Sequence, residues 1–182
     1  MPKTSKTQNV LQCKISLRHI KPAIWRRVLV PDNIFLSEFH EIIQTAMGWD
    51  NYHLHAFSIN GIQYSDSETS DMDEMNVENE ETVRLSQVIT GPKQKIYYEY
   101  DFGDRWEHVI VVEKILPFDP TAKYPICLAG KRACPPEDCG SEPGYYDILE
   151  ALQNKEDEEL LEWLGEYDPE HFDLETVNAR LA

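Results

Sequence analysis

Apolar and polar residues alternate strictly near the start of the chain. Four apolar residues at every second position, from Leu11 to Leu17, would face one side of a strand over residues 10–18, and the polar residues between them would face the other. This period of two is typical of a half-buried strand. A second strand is predicted over residues 23–30, and the short link before it favours antiparallel pairing.

A period typical of a helix follows. Phe39, Ile42 and Ile43 begin an apolar stripe that predicts a helix over residues 37–47, with Ser37 as its cap and Gly48 as its stop. A third strand is predicted over residues 53–60. The pair Asn60-Gly61 then indicates a two-residue hairpin turn.

Two longer alternating segments, residues 95–102 and 105–116, predict a hairpin that turns at Asp101-Phe102-Gly103-Asp104. After Pro117 the pattern indicates loop and helix. Pro143 suits the first turn of a helix, a second helix is predicted around residues 156–164, and Asp173 can cap a last one.

This order of elements predicts an α+β fold. We expect a mostly antiparallel sheet with a ββα start, β-grasp-like by analogy, and a helical C-terminal third packed on it. The predicted organisation is a flexible N-terminus over residues 1–9 and a single domain over residues 10–182. Within that domain, residues 10–117 form the sheet and helix, and residues 118–182 form a proline-rich loop and helices.

The charge is distributed unevenly. The chain has 182 residues and a formal net charge of −16, yet the first 30 residues hold seven Lys or Arg and no acid, whereas residues 137–182 hold fifteen Asp or Glu against two Lys or Arg. The net charge makes nucleic acid an unfavourable partner. The basic first strands could still contact phosphates or an acidic partner.

Hydropathy also limits the location. The chain contains no apolar run of about 18 residues, and its first residues are polar, so neither a membrane span nor a signal peptide is predicted. We therefore expect a cytoplasmic protein whose cysteines are thiols or metal ligands rather than disulfides.

Residues 66–81 contain eight acids and no base. Asp71-x-Asp73 resembles a calcium loop, but the glycine and the final glutamate of such a loop are missing. The composition predicts a solvated insertion, with a cation site as the less favoured alternative.

The most distinctive stretch runs from Lys131 to Tyr146. Pro135 and Pro136 stiffen its backbone, and the stretch contains Cys134, Glu137, Asp138 and Cys139. We favour a structural connector between the sheet and the C-terminal helices. The alternatives are a zinc site and a redox pair.

A zinc site would need ligands beyond the two cysteines. The candidate ligands are Cys134, Cys139, His53, His55 and His108. On a strand, His53 and His55 would point the same way. No metal is favoured by the sequence.

The hairpin turn offers a second group of acids. Asp101, Asp104 and Glu107 would suit a metal-dependent hydrolase. The favoured interpretation is that the aspartates end the strands and pair with Arg105. The letters Asp-Phe-Gly also occur in a kinase motif, but no glycine-rich loop accompanies them, so Gly103 is interpreted as a turn residue.

Several motifs together resemble one family. They are Ile24-Trp25-Arg26-Arg27, Gly48-Trp49, His53-Leu54-His55-x-Phe57, Tyr98-x-Tyr100-Asp101-Phe102-Gly103-Asp104-x-Trp106-x-His108, Gly130-x-Arg132-x-Cys134-Pro135-Pro136-Glu137-Asp138-Cys139-Gly140, Gly144-Tyr145 and Tyr167-Asp168-Pro169-Glu170-x-Phe172-Asp173. The chain resembles the plasmid pRiA4b ORF-3-like family, whose members are often labelled transposon resolvases. The resemblance implies a link with mobile elements. The nucleophilic serine among arginines that a serine resolvase needs is not recognisable here.

We expect a non-enzymatic binding or interaction module with an unknown protein partner. The alternative is a metal-dependent enzyme acting on nucleic acid, either a nuclease or a recombinase-like protein. The candidate binding surface consists of Trp49, His53, His55, Tyr100, Asp101, Asp104, Trp106, His108, Arg132, Glu137 and Asp138.

Overall fold

The computed structural model describes residues 8–70 and 76–182. Within these residues the protein is a mixed α+β structure with one open eight-stranded sheet and six α-helices. The strands are β1 (Asn9–Leu17), β2 (Trp25–Pro31), β3 (His55–Ile59), β4 (Ile62–Ser65), β5 (Val77–Asn79), β6 (Lys95–Tyr100), β7 (Trp106–Pro117) and β8 (Ile126–Lys131). The helices are α1 (Leu36–Met47), α2 (Ser67–Ser70), α3 (Leu85–Val88), α4 (Ser141–Asn154), α5 (Glu158–Leu164) and α6 (Leu174–Leu181), with a short 3₁₀ helix at Glu80–Thr82.

The strand order across the sheet is β5-β4-β3-β6-β7-β1-β2-β8. Every neighbouring pair is antiparallel except β4 and β5, which are parallel. The mostly antiparallel sheet predicted from the alternation is therefore confirmed.

The two faces of the sheet differ in exposure. Alternate residues such as Cys13, Val28 and Ile110 are fully buried and form the inner face, together with the apolar side of α1. Their neighbours along the strands, such as Lys14, Arg27 and Val109, stay partly exposed and form the outer face. The alternation of the sequence thus marks which side holds the core.

Helix α1 begins one residue earlier than predicted. Phe35 precedes it, and the backbone N–H of Phe35 donates to the Glu38 carboxylate at 2.7 Å, so Ser37 lies inside the first turn and is not the cap. Gly48 ends the helix with a φ of 104°, a left-handed value that glycine adopts without strain. The buried Arg26 side chain donates to the carbonyls of Ala46 and Met47 at this end.

Two strands were not predicted. β8 lies in the region where only loop and helix were expected, and β5 lies inside the predicted solvated insertion. Both are sheet edges, and a short edge strand carries a weak period of its own. Asp71 and Asp73 lie outside the described residues.

The C-terminal helices follow their predicted signals. Pro143 lies in the first turn of α4, and the Asp173 carboxylate accepts from the backbone N–H of Thr176 at the start of α6. Asn178 of α6 binds the open edge of β8: its amide accepts from Cys127 N at 2.7 Å and donates to Cys127 O at 2.9 Å.

None of the helices in the described ranges is long and apolar enough to span a membrane.

Candidate metal centre

The connector loop (residues 132–140) is fastened to the rest of the fold by side-chain to backbone bonds. Trp49 Nε1 donates to the carbonyl of Pro135 at 2.9 Å, and the hydroxyl of Tyr167 donates to the carbonyl of Cys134 at 2.9 Å. At the start of the loop, Arg132 Nε donates to Glu170 at 2.8 Å. The loop is therefore held between α1 and the C-terminal segment.

Asp104 holds the far end of the connector loop. Its carboxylate accepts from Gly140 N at 3.1 Å, and its carbonyl accepts from the Ser141 hydroxyl at 2.6 Å. Because Asp104 belongs to the turn between β6 and β7, these bonds place the loop at that end of the sheet. Glu137 and Asp138 are brought there with it.

The sheet supplies two further side chains at the same place. His55 pairs with Tyr100 in the β3–β6 ladder, and the next backbone bond runs from Asp101 N to Leu54 O at 2.8 Å. This register places His53 beside Asp101. His53, Asp101, Glu137 and Asp138 together form what we call the His53 cluster.

Three carboxylates surround one ring nitrogen in the His53 cluster. His53 Nε2 lies 2.8 Å from Asp138 Oδ1, 3.7 Å from Asp101 Oδ2 and 3.8 Å from Glu137 Oε2. The ligand atoms of His53, Asp101 and Asp138 all lie within 4.8 Å of one another. Asp101 is buried, whereas the Asp138 side chain is 68% exposed, so the cluster is open to solvent on the loop side.

The 2.8 Å contact between His53 Nε2 and Asp138 Oδ1 does not have the geometry of a hydrogen bond. His53 Nε2 and Glu137 Oε2 are both buried, and neither has a hydrogen-bond partner among the described residues. A buried polar atom without a partner costs about 1–3 kcal/mol. These two atoms lie 3.8 Å apart, so a group bound between them would satisfy both.

Neighbouring groups fix the orientation of two of the carboxylates. Glu137 Oε1 accepts from the Tyr100 hydroxyl at 2.9 Å and from Asp50 N at 3.0 Å, which leaves Oε2 directed toward His53. Asp101 Oδ1 accepts from Gly103 N at 2.8 Å, which leaves Oδ2 for the cluster. Burial, and then the bond to Glu137, raise the pKa of Tyr100, so its hydroxyl remains a donor. Outer bonds of this kind are typical of metal ligands.

The spacing suits a divalent cation. Ligand atoms about 2.1 Å from an ion lie about 3–4 Å apart, so an ion would draw together the atoms that now lie up to 4.8 Å apart and would widen the 2.8 Å contact between His53 and Asp138. One imidazole nitrogen with carboxylate oxygens suits first-row ions such as Zn²⁺ and Mn²⁺. Without a cation, the three acidic side chains repel one another.

Most of the aromatic members of the candidate binding surface are in the core. Trp49 lies 5.0 Å from Tyr100, 6.3 Å from Trp106 and 5.2 Å from His108, measured between ring centroids. All four are buried, as are His55 and Arg132. These six residues have at most 6% of their surface exposed, and the more accessible members of the predicted surface are His53, Asp104, Glu137 and Asp138.

The cysteines do not join the cluster. Among the described residues, the one grouping of at least three possible metal ligands is His53 with Asp101 and Asp138, so neither Cys134 nor Cys139 belongs to such a group. Both are free thiols, and burial raises the pKa of each to about 12. The structure therefore brings together one of the five predicted metal candidates, His53, with carboxylates in place of thiolates.

His53 and His55 do not converge. His55 points into the core and contacts both carboxylate oxygens of Glu80 at 2.9 and 3.0 Å. Its ring stacks on His40 with centroids 3.4 Å apart. His40 is also buried and lies 2.8 Å from the Tyr98 hydroxyl. Glu80 belongs to the acidic segment of residues 66–81, which was predicted to be solvated, but its side chain is buried.

The turn acids also differ from expectation. Arg105 lies near Glu99 and Glu107, at 3.6 and 3.7 Å, and not at ion-pair distance from Asp101 or Asp104. The two aspartates instead serve the His53 cluster and the connector loop. Gly103 is a turn residue, as predicted.

Comparison with known proteins supports the resemblance seen in the motifs. A family model described as plasmid pRiA4b ORF-3-like protein matches residues 9–176. The chain belongs to this family. It is 38% identical over 165 residues to "Uncharacterized protein y4hQ" of Sinorhizobium fredii, an alignment that covers 88% of this chain and 83% of the relative.

A solved structure shares the fold. The crystal structure of MM3350, a protein of unknown function from Methanosarcina mazei Go1, matches with a TM-score of 0.85 and 38% identity, covering 93% of this chain and 97% of the other. Neither relative's name states an activity. Membership of the plasmid pRiA4b ORF-3-like family therefore leaves the function to be argued from the site.

Proposed function

We propose that this protein is a binding module for a divalent first-row cation, held by His53, Asp101 and Asp138 with Glu137 as a further ligand. The observation that carries the proposal is the position of His53 Nε2. This atom is buried, has no hydrogen bond among the described residues, and lies within 3.8 Å of oxygens from three acidic side chains.

The role of the ion follows from where its ligands lie. His53 lies just before β3 and Asp101 just after β6, whereas Glu137 and Asp138 belong to the connector loop. A cation would join these two parts and neutralise the repulsion between the carboxylates. On this proposal the cation is the ligand of the predicted binding module, and it also links the connector loop to the end of the sheet.

Direct measurement of metal binding tests this proposal. Untagged protein, stripped with a chelator, is titrated with Zn²⁺ or Mn²⁺ by calorimetry, with Mg²⁺ and Ca²⁺ for comparison. We expect one site, and a loss of affinity of at least about 10-fold in His53→Gln and in Asp101→Asn. His171→Gln and Asp147→Asn, which change exposed residues of the same types elsewhere, are the matched controls.

The cysteines provide a further control. Cys134→Ser and Cys139→Ser should keep the site, because no thiol belongs to the cluster. Unchanged affinity in His53→Gln, or loss of binding in a cysteine variant alone, would contradict the proposal. Thermal melts of each metal-free variant separate lost ligands from lost folding.

A metal-dependent enzyme acting on nucleic acid is the second candidate, and the open side of the His53 cluster is the observation that favours it. Asp138 is exposed, so water could reach a bound ion, and an ion-bound water is the usual nucleophile of such enzymes. Incubation of the loaded protein with DNA and RNA tests this. Cleavage that is lost in His53→Gln would support the enzyme, and its absence leaves the binding module.

Alongside cation binding, we propose a cytoplasmic location, a protein partner and a link with mobile elements, as predicted from the sequence. The β-grasp analogy and the helical C-terminal third are likewise descriptions that we propose, and they carry no function by themselves.

A further inference from the structure

The outer face of the sheet carries an aromatic row. Register aligns Ser58 with Tyr97, Tyr97 with Val109, Val109 with Ser16, and Ser16 with Trp25, so these five residues form one line across five strands. Tyr97 and Trp25 lie three strand spacings apart, about 14 Å. Tyr97 is 44% exposed.

A cationic row lies beside the aromatic row. Lys95 aligns with Val111, Val111 with Lys14, and Lys14 with Arg27. Lys14 Nζ lies 5.0 Å from the centre of the Trp25 ring, and the Arg27 guanidinium lies 5.2 Å from it. In the described part of the chain, neither Lys14 nor Lys95 has a carboxylate at ion-pair distance, whereas Arg27 is paired with Glu113.

We propose that this face binds single-stranded nucleic acid, with a base on Tyr97 and phosphates along Lys95 and Lys14. The exposed ring of Tyr97 supplies a stacking surface for any base, and adjacent cations follow the backbone. An acidic protein would match the cations but would leave the aromatic row without a role. The proposal is separate from cation binding, since it shares no residue with the His53 cluster.

The net charge of −16 does not decide against this. Twenty-three of the acids lie in two segments, eight in residues 66–81 and fifteen in residues 137–182. At about 0.1 M salt the screening length is about 10 Å, so the charges next to the bound strand dominate. On the other side of the aromatic row, Glu107 is already paired with Arg18 at 3.0 Å.

Fluorescence anisotropy with labelled 20-nucleotide oligothymidine and oligouridine tests the proposal at low salt. Tyr97→Ala, which removes an exposed ring, should weaken binding about 10-fold. Lys95→Gln should lower the slope of log affinity against log salt by about 0.7, the value expected for one lost phosphate contact to a single strand.

Matched controls come from other surfaces. Tyr52→Ala and Lys123→Gln change exposed residues away from the face and should leave the affinity unchanged. His53→Gln and added chelator should also have no effect, so this proposal and cation binding can fail independently. Absence of binding, equal competition by polyglutamate, or unchanged affinity in Tyr97→Ala would overturn the proposal.

Discussion

Trp49 Nε1 donates a hydrogen bond to the carbonyl of Pro135 at 2.9 Å, and this bond joins the end of α1 to the connector loop. Both residues belong to motifs that are far apart in the sequence. The bond connects the tryptophan that follows the Gly48 helix stop to the rigid proline pair of the loop. The same bond is one point at which the connector loop, and with it the C-terminal segment, is attached to the rest of the fold.

Replacing Trp49 with Phe should destabilise the protein by about 1–2 kcal/mol, because the buried Pro135 carbonyl loses its donor. Residues 133–182 should also become more sensitive to protease. Urea unfolding and limited proteolysis measure the two effects. Trp163→Phe is the control, since Trp163 is 54% exposed, and an equal loss in both variants would contradict the role of the bond.

Gly144 is required by a close approach of backbone. A Cβ at this position would lie 1.9 Å from the carbonyl oxygen of Cys139. Alanine normally favours a helix over glycine by about 1 kcal/mol, but here the collision should outweigh that gain and destabilise the protein by about 2–3 kcal/mol. In Gly91→Ala a Cβ meets nothing within 4 Å, so thermal melts of the two variants should differ clearly.

Two buried histidines should make stability fall with acid. Burial lowers the pKa of His40 to about 3, with His55 as a second cause, and burial lowers the pKa of His108 to about 4. Below pH about 6.5 the unfolded chain binds protons at these imidazoles that the folded protein does not. Stability is therefore lost as the pH falls from about 6.5 toward 4, by about 1.4 kcal/mol per pH unit for each imidazole.

Urea unfolding at several values between about pH 7 and about pH 5 checks this sign, because that range spans the pKa of histidine in the unfolded chain. His40→Gln should reduce the slope by the contribution of one imidazole. His171→Gln, in which an exposed ring is changed, should keep it. Identical slopes in the two variants would contradict the lowered pKa of His40 in the folded protein.

Asn178 protects an open sheet edge. Its side-chain amide forms hydrogen bonds with the backbone N–H and the backbone carbonyl of Cys127, so it takes the place of a neighbouring strand. Asn178→Ala should expose these groups and raise the rate of aggregation, because an unpaired edge recruits further strands. Light scattering during mild heating measures the rate, and Asn154→Ala, at the exposed end of α4, is the comparison.

Local pattern predicted the elements whose signal lies within a few residues. The strict alternation from Leu11 to Leu17, the stripe of α1 and the Asn60-Gly61 turn each appear in the structure within about two residues of their predicted bounds. The edge strands β5 and β8 were missed. Their pairing depends on partners elsewhere in the sheet more than on their own period.

The candidate site was predicted only in its parts. Sequence marked Glu137 and Asp138 as held by a rigid loop and His53 as a possible ligand. It placed these residues and Asp101 on one candidate binding surface but did not group them as metal ligands, because that grouping depends on the β3–β6 register and on the bonds that Asp104 accepts from Gly140 and Ser141. These contacts span 36 residues or more along the chain.

The sequence by itself determined the family, the mostly antiparallel α+β class and the uneven distribution of charge, because motifs, local periods and composition need no knowledge of contacts. Tertiary structure decided which polar residues are buried and which meet. It placed His40 against His55 in the core and left the Tyr97 ring of the aromatic row exposed. Long-range register sets these neighbours, and a shift of one residue would turn every side chain of a strand to the other face.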